Sequence, residues 1–476
     1  MDCEIGLKMP KKNDIFELKI SDISTDGSGI GKVDGYTLFV KDAIIGDFCR
    51  VKVMKTKKTY GYAKLIDIIT ASPYRVKPVC PVARQCGGCQ IQAMDYKAQL
   101  EFKQNLVRNN LKRIGGIEDG YEELPIIGMD EPYRYRNKAQ YPVGQDRDGN
   151  LIMGFYAGHT HSIVECMDCK IGVESNEWIL AVIKSWMELE GIEAYDENTR
   201  KGMVRHILIR TGFKTSEIMV CLVVNSRKLS DSQKASLVNR LTSVSKDSDK
   251  GLGGEIKSIM LNINSEDTNV ILGRDCEILY GNGYIEDYIG EVKFRISPLS
   301  FFQVNPIQTE KLYGKVVEFA QLKGDEKIWD LYCGIGSISL FLAKAVPDGE
   351  VYGVEIIPEA IEDAKENARI NNIDNAKFFV GKAEELVPDF YNKDFMTNPD
   401  LVVVDPPRKG CDAILLDTIV KMQPEKIVYV SCDSATLARD LRVLLDKGYE
   451  LVKLQAVDQF CHSVHVETVV LLSQQN

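Results

Sequence analysis

The chain has 476 residues, 44% of them hydrophobic and 27% charged, and a formal net charge of −10. That length exceeds one ordinary domain and predicts two to four. No run of about 18 apolar residues occurs, so no transmembrane helix is expected, and residues 1–12 lack the apolar centre of a secretory leader, which makes a cytoplasmic location the expectation. Thirteen cysteines, an odd number in a chain without an export signal, argue against a disulfide framework and for metal binding or catalysis. The charge is uneven. Residues 1–140 carry 23 Lys+Arg against 18 Asp+Glu, a net of +5, which leaves −15 for the remainder. Local basic patches decide phosphate contacts more than the total does.

Residues 14–70 read as all-β. Phe16-Glu17-Leu18-Lys19-Ile20 alternates, residues 27–31 form a glycine-rich turn, and residues 35–40, 47–54 and 62–69 supply further strands. About five short strands at this spacing predict a small OB-like barrel. Arg50, Lys52, Lys55, Lys57 and Lys58 make a basic patch. Tyr36, Phe39 and Tyr60 suit either stacking on bases or packing in the core. The pattern resembles a TRAM domain, an RNA-binding barrel attached to RNA-modifying enzymes.

Next comes Cys80-x5-Cys86-Gly-Gly-Cys89, three thiols in a tight loop, with Cys166 and Cys169 available as a fourth ligand. Four thiolates suit zinc or an iron–sulfur cluster, and the spacing does not choose between them. Residues 94–114 follow a helical period with Leu100, Val107, Leu111 and Ile114 near one face, ended by Gly115-Gly116. From about 124 to 285 strands alternate with helices. Residues 133–138, Tyr-Arg-Tyr-Arg-Asn-Lys, suit RNA contact or an exposed strand. Residues 178–187 read as an apolar helix and 245–255 as a polar loop.

From about 290 a regular strand–helix alternation begins, with strands at 327–331, 351–355, 377–380, 401–405, 426–430, 451–457 and 467–472. Such alternation predicts a mostly parallel, Rossmann-like sheet covered by helices on both faces. The first strand ends in Asp330-Leu331-Tyr332-Cys333-Gly334-Ile335-Gly336-Ser337, and Glu355 ends the second. Glycines there let the backbone approach a ligand, and the later carboxylate suits ribose hydroxyls. The third glycine of dinucleotide binders is absent, as is the Lys-Ser/Thr of a phosphate loop. An S-adenosylmethionine pocket fits better, with Asp405-Pro406-Pro407-Arg408 closing the fourth strand. Arg408 suits a phosphate or carboxylate better than a base face.

Cys432 ends the strand at 426–430, where a helix capped by Asp433 or Ser434 begins. A helix N-terminus favours the thiolate. Carbon 5 of a pyrimidine is a poor nucleophile until a thiolate adds to carbon 6, and a base must later remove the carbon-5 proton. Cys432 supplies the thiol, and Glu467, after His462 and His465, supplies the base.

Ser431-Cys432-Asp433-x-x-Thr436-Leu437-Ala438-Arg439-Asp440, His462-x-x-His465-x-Glu467, Asp405-Pro406-Pro407-Arg408-Lys409-Gly410 and Ser300-Phe301-Phe302-Gln303-Val304-Asn305 together resemble the RumA/TrmA family of RNA (uracil-5-)-methyltransferases. The resemblance spans nearly the whole chain. It implies a TRAM-like barrel at 10–72, a central α/β domain with the cysteine cluster at 73–289, and an S-adenosylmethionine-dependent, Rossmann-like class I methyltransferase domain at 290–476. The helix at 94–114 is expected to pack on that last domain. It implies Cys432 as nucleophile, Glu467 as base, and Gln303, Tyr332, Glu355 and Asp405 as S-adenosylmethionine contacts. It also implies a 4Fe-4S cluster on Cys80, Cys86, Cys89 and Cys169. Asp433-Ser434 stands where family members often carry Asn-Pro.

The tRNA-specific branch typically lacks barrel and cluster, so 23S ribosomal RNA is the expected substrate and tRNA the alternative. A non-catalytic assembly factor is disfavoured because Cys432 and Glu467 are both kept. A radical S-adenosylmethionine enzyme is disfavoured because it needs Cys-x3-Cys-x2-Cys. A monomer without membrane contact is expected.

Overall fold

The computed structural model describes residues 9–158, 160–245, 253–392 and 398–475. The first eight residues and most of the loop expected at 245–255 lie outside them. The chain divides into two compact units. One holds the residues up to Lys103 with Tyr156–Ser162 and Phe460–Val464; the other holds Gln104–Phe155, Ile163–Gln459 and His465 onward.

In the first unit, β1 (Ile15–Ile23), β2 (Gly29–Val33), β3 (Tyr36–Lys41), β4 (Phe48–Thr56) and β5 (Tyr60–Thr70) close a barrel in the order β1-β2-β3-β5-β4. Alternation fixes which side of each strand is inside: Leu18, Ile20, Leu38, Val40, Val51 and Val53 are buried and their sequence neighbours face out. The glycine stretch read as a turn at 27–31 runs straight into β2. Gly31 faces Leu18, where a Cβ would lie 2.4 Å from that side chain. Asp47 is fully buried under Arg75 and accepts from the amides of Ile44 and Ser72, which hold its carboxyl below the usual range against the cost of burial.

Helix α1 (Tyr96–Asn110) continues as a π-turn over Leu111–Gly115, and Gly116 closes it with φ 64°. Val107 and Leu111 are fully buried together with Leu437, Ala438 and Leu441. Strand β6 (Glu122–Ile127) follows.

The second unit contains two larger sheets. Strands β7 (Lys138–Gln145), β8 (Leu151–Tyr156), β9 (Ile163–Glu165), β10 (Val204–Thr211), β11 (Glu217–Val224), β12 (Glu255–Ile263) and β13 (Asp275–Gly281) form a sheet in the order β13-β12-β11-β10-β7-β8-β9. Helices α2 (Ser175–Leu189) and α3 (Asp231–Ser245) accompany it, and Ile179, Ile183 and Trp186 of α2 share its core. A hairpin of β14 (Ile285–Ile289) and β15 (Val292–Ile296) precedes α4 (Pro306–Ala320).

The remaining elements are β16 (Lys327–Leu331), α5 (Ser337–Ala345), β17 (Glu350–Glu355), α6 (Pro358–Ile370), β18 (Ala376–Val380), α7 (Ala383–Asn392), β19 (Leu401–Val404), α8 (Ala413–Met422), β20 (Lys426–Ser431), α9 (Ser434–Leu445), β21 (Tyr449–Val457) and β22 (Glu467–Gln474). Their sheet runs β18-β17-β16-β19-β20-β22-β21-β6 and is parallel except at β22. Strand β19 is apolar throughout because both faces of the sheet are covered; all four of its residues are buried. The core is continuous with the central sheet through Leu208, Met219, Cys221, Phe294 and Phe302. No helix of the described residues is long and apolar enough to cross a membrane.

Candidate active site

The carboxyl ends of β16, β17, β19, β20 and the start of β22 gather the expected site residues, as open parallel sheets do with their ligands. After β16 the chain turns with positive φ at Tyr332, Gly334 and Gly336 (67°, 55° and 78°). A Cβ on Gly334 would meet nothing within 4 Å, so this glycine faces open space, whereas one on Gly336 would lie 3.0 Å from the Phe378 ring. Glu355 braces the turn: its carboxylate accepts from the amides of Gly334 (3.2 Å) and Ile357 (3.0 Å).

Asp330 is fully buried beside this turn and Asp405 half-buried. Burial pushes both carboxyls up to about 7, each carboxylate adding repulsion from a neighbour, Glu355 for Asp330 and Asp330 for Asp405. Ser339 donates to one oxygen of Asp330; the other has no hydrogen-bond partner. An open glycine cradle ringed by half-satisfied buried carboxylates fits a cationic, ribose-bearing ligand, and S-adenosylmethionine is one.

Gln303 lies in a segment fastened at several points. Asn137 donates through its side chain to the Gln303 carbonyl (3.0 Å) and through its amide to Val304 (2.9 Å). Asn305 caps α4 by accepting from the Gln308 amide (3.2 Å) and donates to the Gln459 carbonyl (3.0 Å). The fully buried Arg210 grips the carbonyls of Pro298 and Ser300. Sequence reading missed Tyr313, whose buried hydroxyl sits 2.9 Å from Ser337 Oγ and within reach of Gln303. A tyrosine on the apolar face of a helix gives no signal of that kind. Tyr332 is half-buried, and its hydroxyl meets the amide of Asp412.

The nucleophile loop is built by capping. Asp433 is the N-cap of α9, accepting from the amides of Ala435 (2.9 Å) and Thr436 (3.1 Å). Ser434 holds the first helical position, where proline is also favoured, and receives a bond from Asn110 (2.8 Å). The Asp-Ser departure therefore preserves the turn. The expectation of a stabilised thiolate at Cys432 is corrected. Burial outweighs the helix end, the carboxylates of Glu467 and Asp405 add to it, and the thiol is pushed up to about 12 despite the Arg408 cation. Glu467 itself is buried and raised to about 8, by desolvation first and by Asp405 second, with Arg408 pulling it down. Arg408 Nη2 also stands 3.5 Å from His465 Nε2. The free site is a protonated thiol facing carboxyls that titrate near neutrality.

Asp440 ties the fourth-strand motif to the nucleophile helix. It accepts from the Cys411 amide (2.8 Å), the Tyr429 hydroxyl (2.7 Å) and Arg439 Nε (2.8 Å), while Arg439 donates to the Lys409 carbonyl (2.9 Å). Gly410 has φ 77°, and a Cβ there would lie 2.5 Å from Asp440 Oδ2. Cys411 is buried within this knot, with its thiol raised to about 12.

The two cysteine loops belong to different units. In the first, the Gly88 amide points at Cys86 Sγ (3.4 Å), the Cys80 amide donates to Gln92 (2.8 Å), and Cys86 bridges to Ala157. In the second, Arg134 Nη1 donates to Asp168 (2.7 Å) and to the carbonyls of Cys169 (2.9 Å) and Gly172 (3.1 Å). In the stretch 133–138, read as an RNA contact or an exposed strand, Arg134 thus clamps the loop of Cys166 and Cys169, and Tyr135 is only 2% exposed. Among the described residues no three His, Cys, Asp or Glu stand grouped as a single metal ion would need.

A parallel sheet with one antiparallel strand, a glycine cradle and buried carboxylates define a class I, S-adenosylmethionine-dependent methyltransferase, here joined to an OB-like barrel. Comparison with known proteins agrees. A family model described as tRNA (Uracil-5-)-methyltransferase matches residues 255–475, and a TRAM domain model matches residues 11–66. Relatives described as uncharacterized RNA methyltransferases, from Clostridium tetani and Halalkalibacterium halodurans, are 49% and 48% identical, covering 97% and 98% of this chain and the same shares of their own. The crystal structure of Pyrococcus abyssi tRNA (uracil-54, C5)-methyltransferase in complex with S-adenosyl-L-homocysteine aligns with a TM-score of 0.75 at 28% identity, over 96% of this chain and 100% of that one. The chain belongs to the RumA/TrmA-type RNA (uracil-5-)-methyltransferase family.

Proposed function

We propose that this protein methylates carbon 5 of a specific uridine in 23S ribosomal RNA through a covalent bond between Cys432 and uracil carbon 6. The observation that carries the reading is the convergence of Cys432, Glu467, Asp405 and Arg408 at one end of the sheet, with mutual electrostatic effects among them. S-adenosylmethionine, when bound, supplies an electrophilic methyl on a sulfonium; Gln303, Tyr332, Glu355 and Asp405 would hold it. The target base must leave its stack for carbon 6 to be reached. Cys432 gives up its proton and its sulfur bonds to carbon 6, which places the electron pair on carbon 5. Carbon 5 takes the methyl group, and the donor sulfur keeps the bonding pair and leaves as a neutral thioether. Glu467 removes the carbon-5 proton, the carbon–sulfur bond breaks, and 5-methyluridine and the thiolate are released.

The ribosomal reading rests on the expectation that a tRNA-specific branch lacks the pairing of barrel and cysteine motif. A second reading, a tRNA uridine, is favoured by the Pyrococcus abyssi enzyme, which acts on tRNA and aligns over 96% of this chain, barrel included. Mapping 5-methyluridine in both RNAs of a deletion strain separates them. Loss from 23S RNA is expected; loss confined to tRNA overturns the ribosomal assignment.

Cys80, Cys86, Cys89 and Cys169 all offer sulfur, the donor a 4Fe-4S cluster takes, and the amide aimed at Cys86 Sγ suits a thiolate. Anaerobically purified protein should be brown and contain iron, and Cys86→Ala should lose both. Zinc in place of iron would remove the cluster assignment.

A further inference from the structure

The outer face of the barrel carries an ordered pattern that methyl transfer does not use. The register of β3 on β5 sets Thr37 beside Tyr60, Phe39 beside Tyr62 and Lys41 beside Lys64, and that of β4 on β5 sets Lys55 beside Tyr62. Leu38, Val40, Gly61 and Ala63 point inward, so these neighbours point out. Three rings meet there. Phe39 and Tyr60 lie 5.6 Å apart edge to face, Phe39 and Tyr62 5.7 Å apart, and Tyr60 and Tyr62 5.8 Å apart. Tyr62 is 41% exposed. Tyr36, offered by the sequence as a third stacking ring, is instead core: it is 8% exposed and its hydroxyl is held by the Lys57 carbonyl.

Lys41, Lys55 and Lys64 are exposed, and their side chains make no ion pair or hydrogen bond among the described residues. The acids bordering the face are engaged, Asp67 by Arg50 and Asp26 by the Ser24 hydroxyl and the Ser28 amide. A cluster of outward rings flanked by exposed cations matches the faces of unstacked bases and the phosphates between them; a duplex hides its base faces.

We propose that Phe39, Tyr60 and Tyr62 form a stacking platform for unpaired bases of the substrate RNA, with Lys41, Lys55 and Lys64 holding the adjoining phosphates. The inference rests on the RNA reading only for its ligand. The test is therefore an equilibrium one with the full chain and no methyl donor, which a failure of the uridine-methylation reading leaves intact. A fluorescein-labelled oligouridylate and an RNA duplex of equal length serve as probes. Tyr62→Ala and Tyr60→Ala should each weaken single-strand binding about 5- to 100-fold, and Tyr62→Phe should restore it. Lys41→Gln and Lys64→Gln should each lower the slope of log affinity against log salt by about one. Tyr62→Ala, a surface change checked by an unaltered melting curve, overturns the platform if it binds the oligouridylate as the parent does, or if it loses the same factor on duplex.

Discussion

Cys432→Ala should abolish methyl transfer, a loss on the order of 10⁴-fold or more, because on the proposed mechanism its sulfur is the group that activates carbon 5. The same protein should form no covalent adduct with RNA carrying 5-fluorouridine, on which the parent chain should stall as a methylated adduct visible as a shifted band. Fluorine cannot leave carbon 5 as a proton does, so the trapped species reports the thiolate bond directly. The state of the free thiol makes this sharper. With Cys432 pushed up to about 12 by burial and by two carboxylates, the resting protein holds almost no thiolate at neutral pH. On the proposed mechanism, ionisation accompanies substrate binding, with a neighbouring carboxylate as the proton acceptor. An adduct that survives Cys432→Ala would move the nucleophile elsewhere. Cys411 is the nearest rival in sequence, but its thiol is buried among Tyr429 and Asp440.

What the sequence reveals depends on how local the deciding interaction is. The parallel strands were legible because strands buried on both faces are continuous apolar runs, as in Leu401–Val404. The barrel was legible from period-two alternation. Strand β6 was not: Glu122-Glu123-Leu124-Pro125 carries acids and a proline, and its partner β21 lies more than 300 residues on. A proline is tolerated there because β6 is the edge of its sheet. Tyr36 and Tyr62 show the limit at one residue: both are aromatic strand residues, and only closure of the barrel decides which faces in. At Cys432 the helix end could be read from the neighbouring sequence. The opposing effects of burial, Asp405 and Glu467 arrive through space from other strands. Arg134 likewise looked like an RNA contact until the fold brought the Cys169 loop to it.

Glu467→Gln should stop the reaction after the methyl group has moved, leaving a methylated protein–RNA adduct to accumulate and turnover reduced about 10²- to 10⁴-fold. The amide keeps the shape of the buried carboxyl and removes its basicity. Two pH measurements separate this role from a merely structural one. Glu467 is raised from 4.5 to about 8, so turnover of the parent chain, where proton removal limits it, should climb as pH rises through about 8. Release of adduct by the variant should lack that rise. The linkage runs the other way for stability. The folded state holds the Glu467 proton more tightly than the unfolded chain, so this contribution is complete below about 4.5 and is lost as pH rises through about 8. Glutamine carries no such proton, and the melting temperature of Glu467→Gln relative to the parent should increase between those limits. A difference that stays flat across that range would contradict the raised carboxyl, and free turnover by the variant would remove Glu467 as the base.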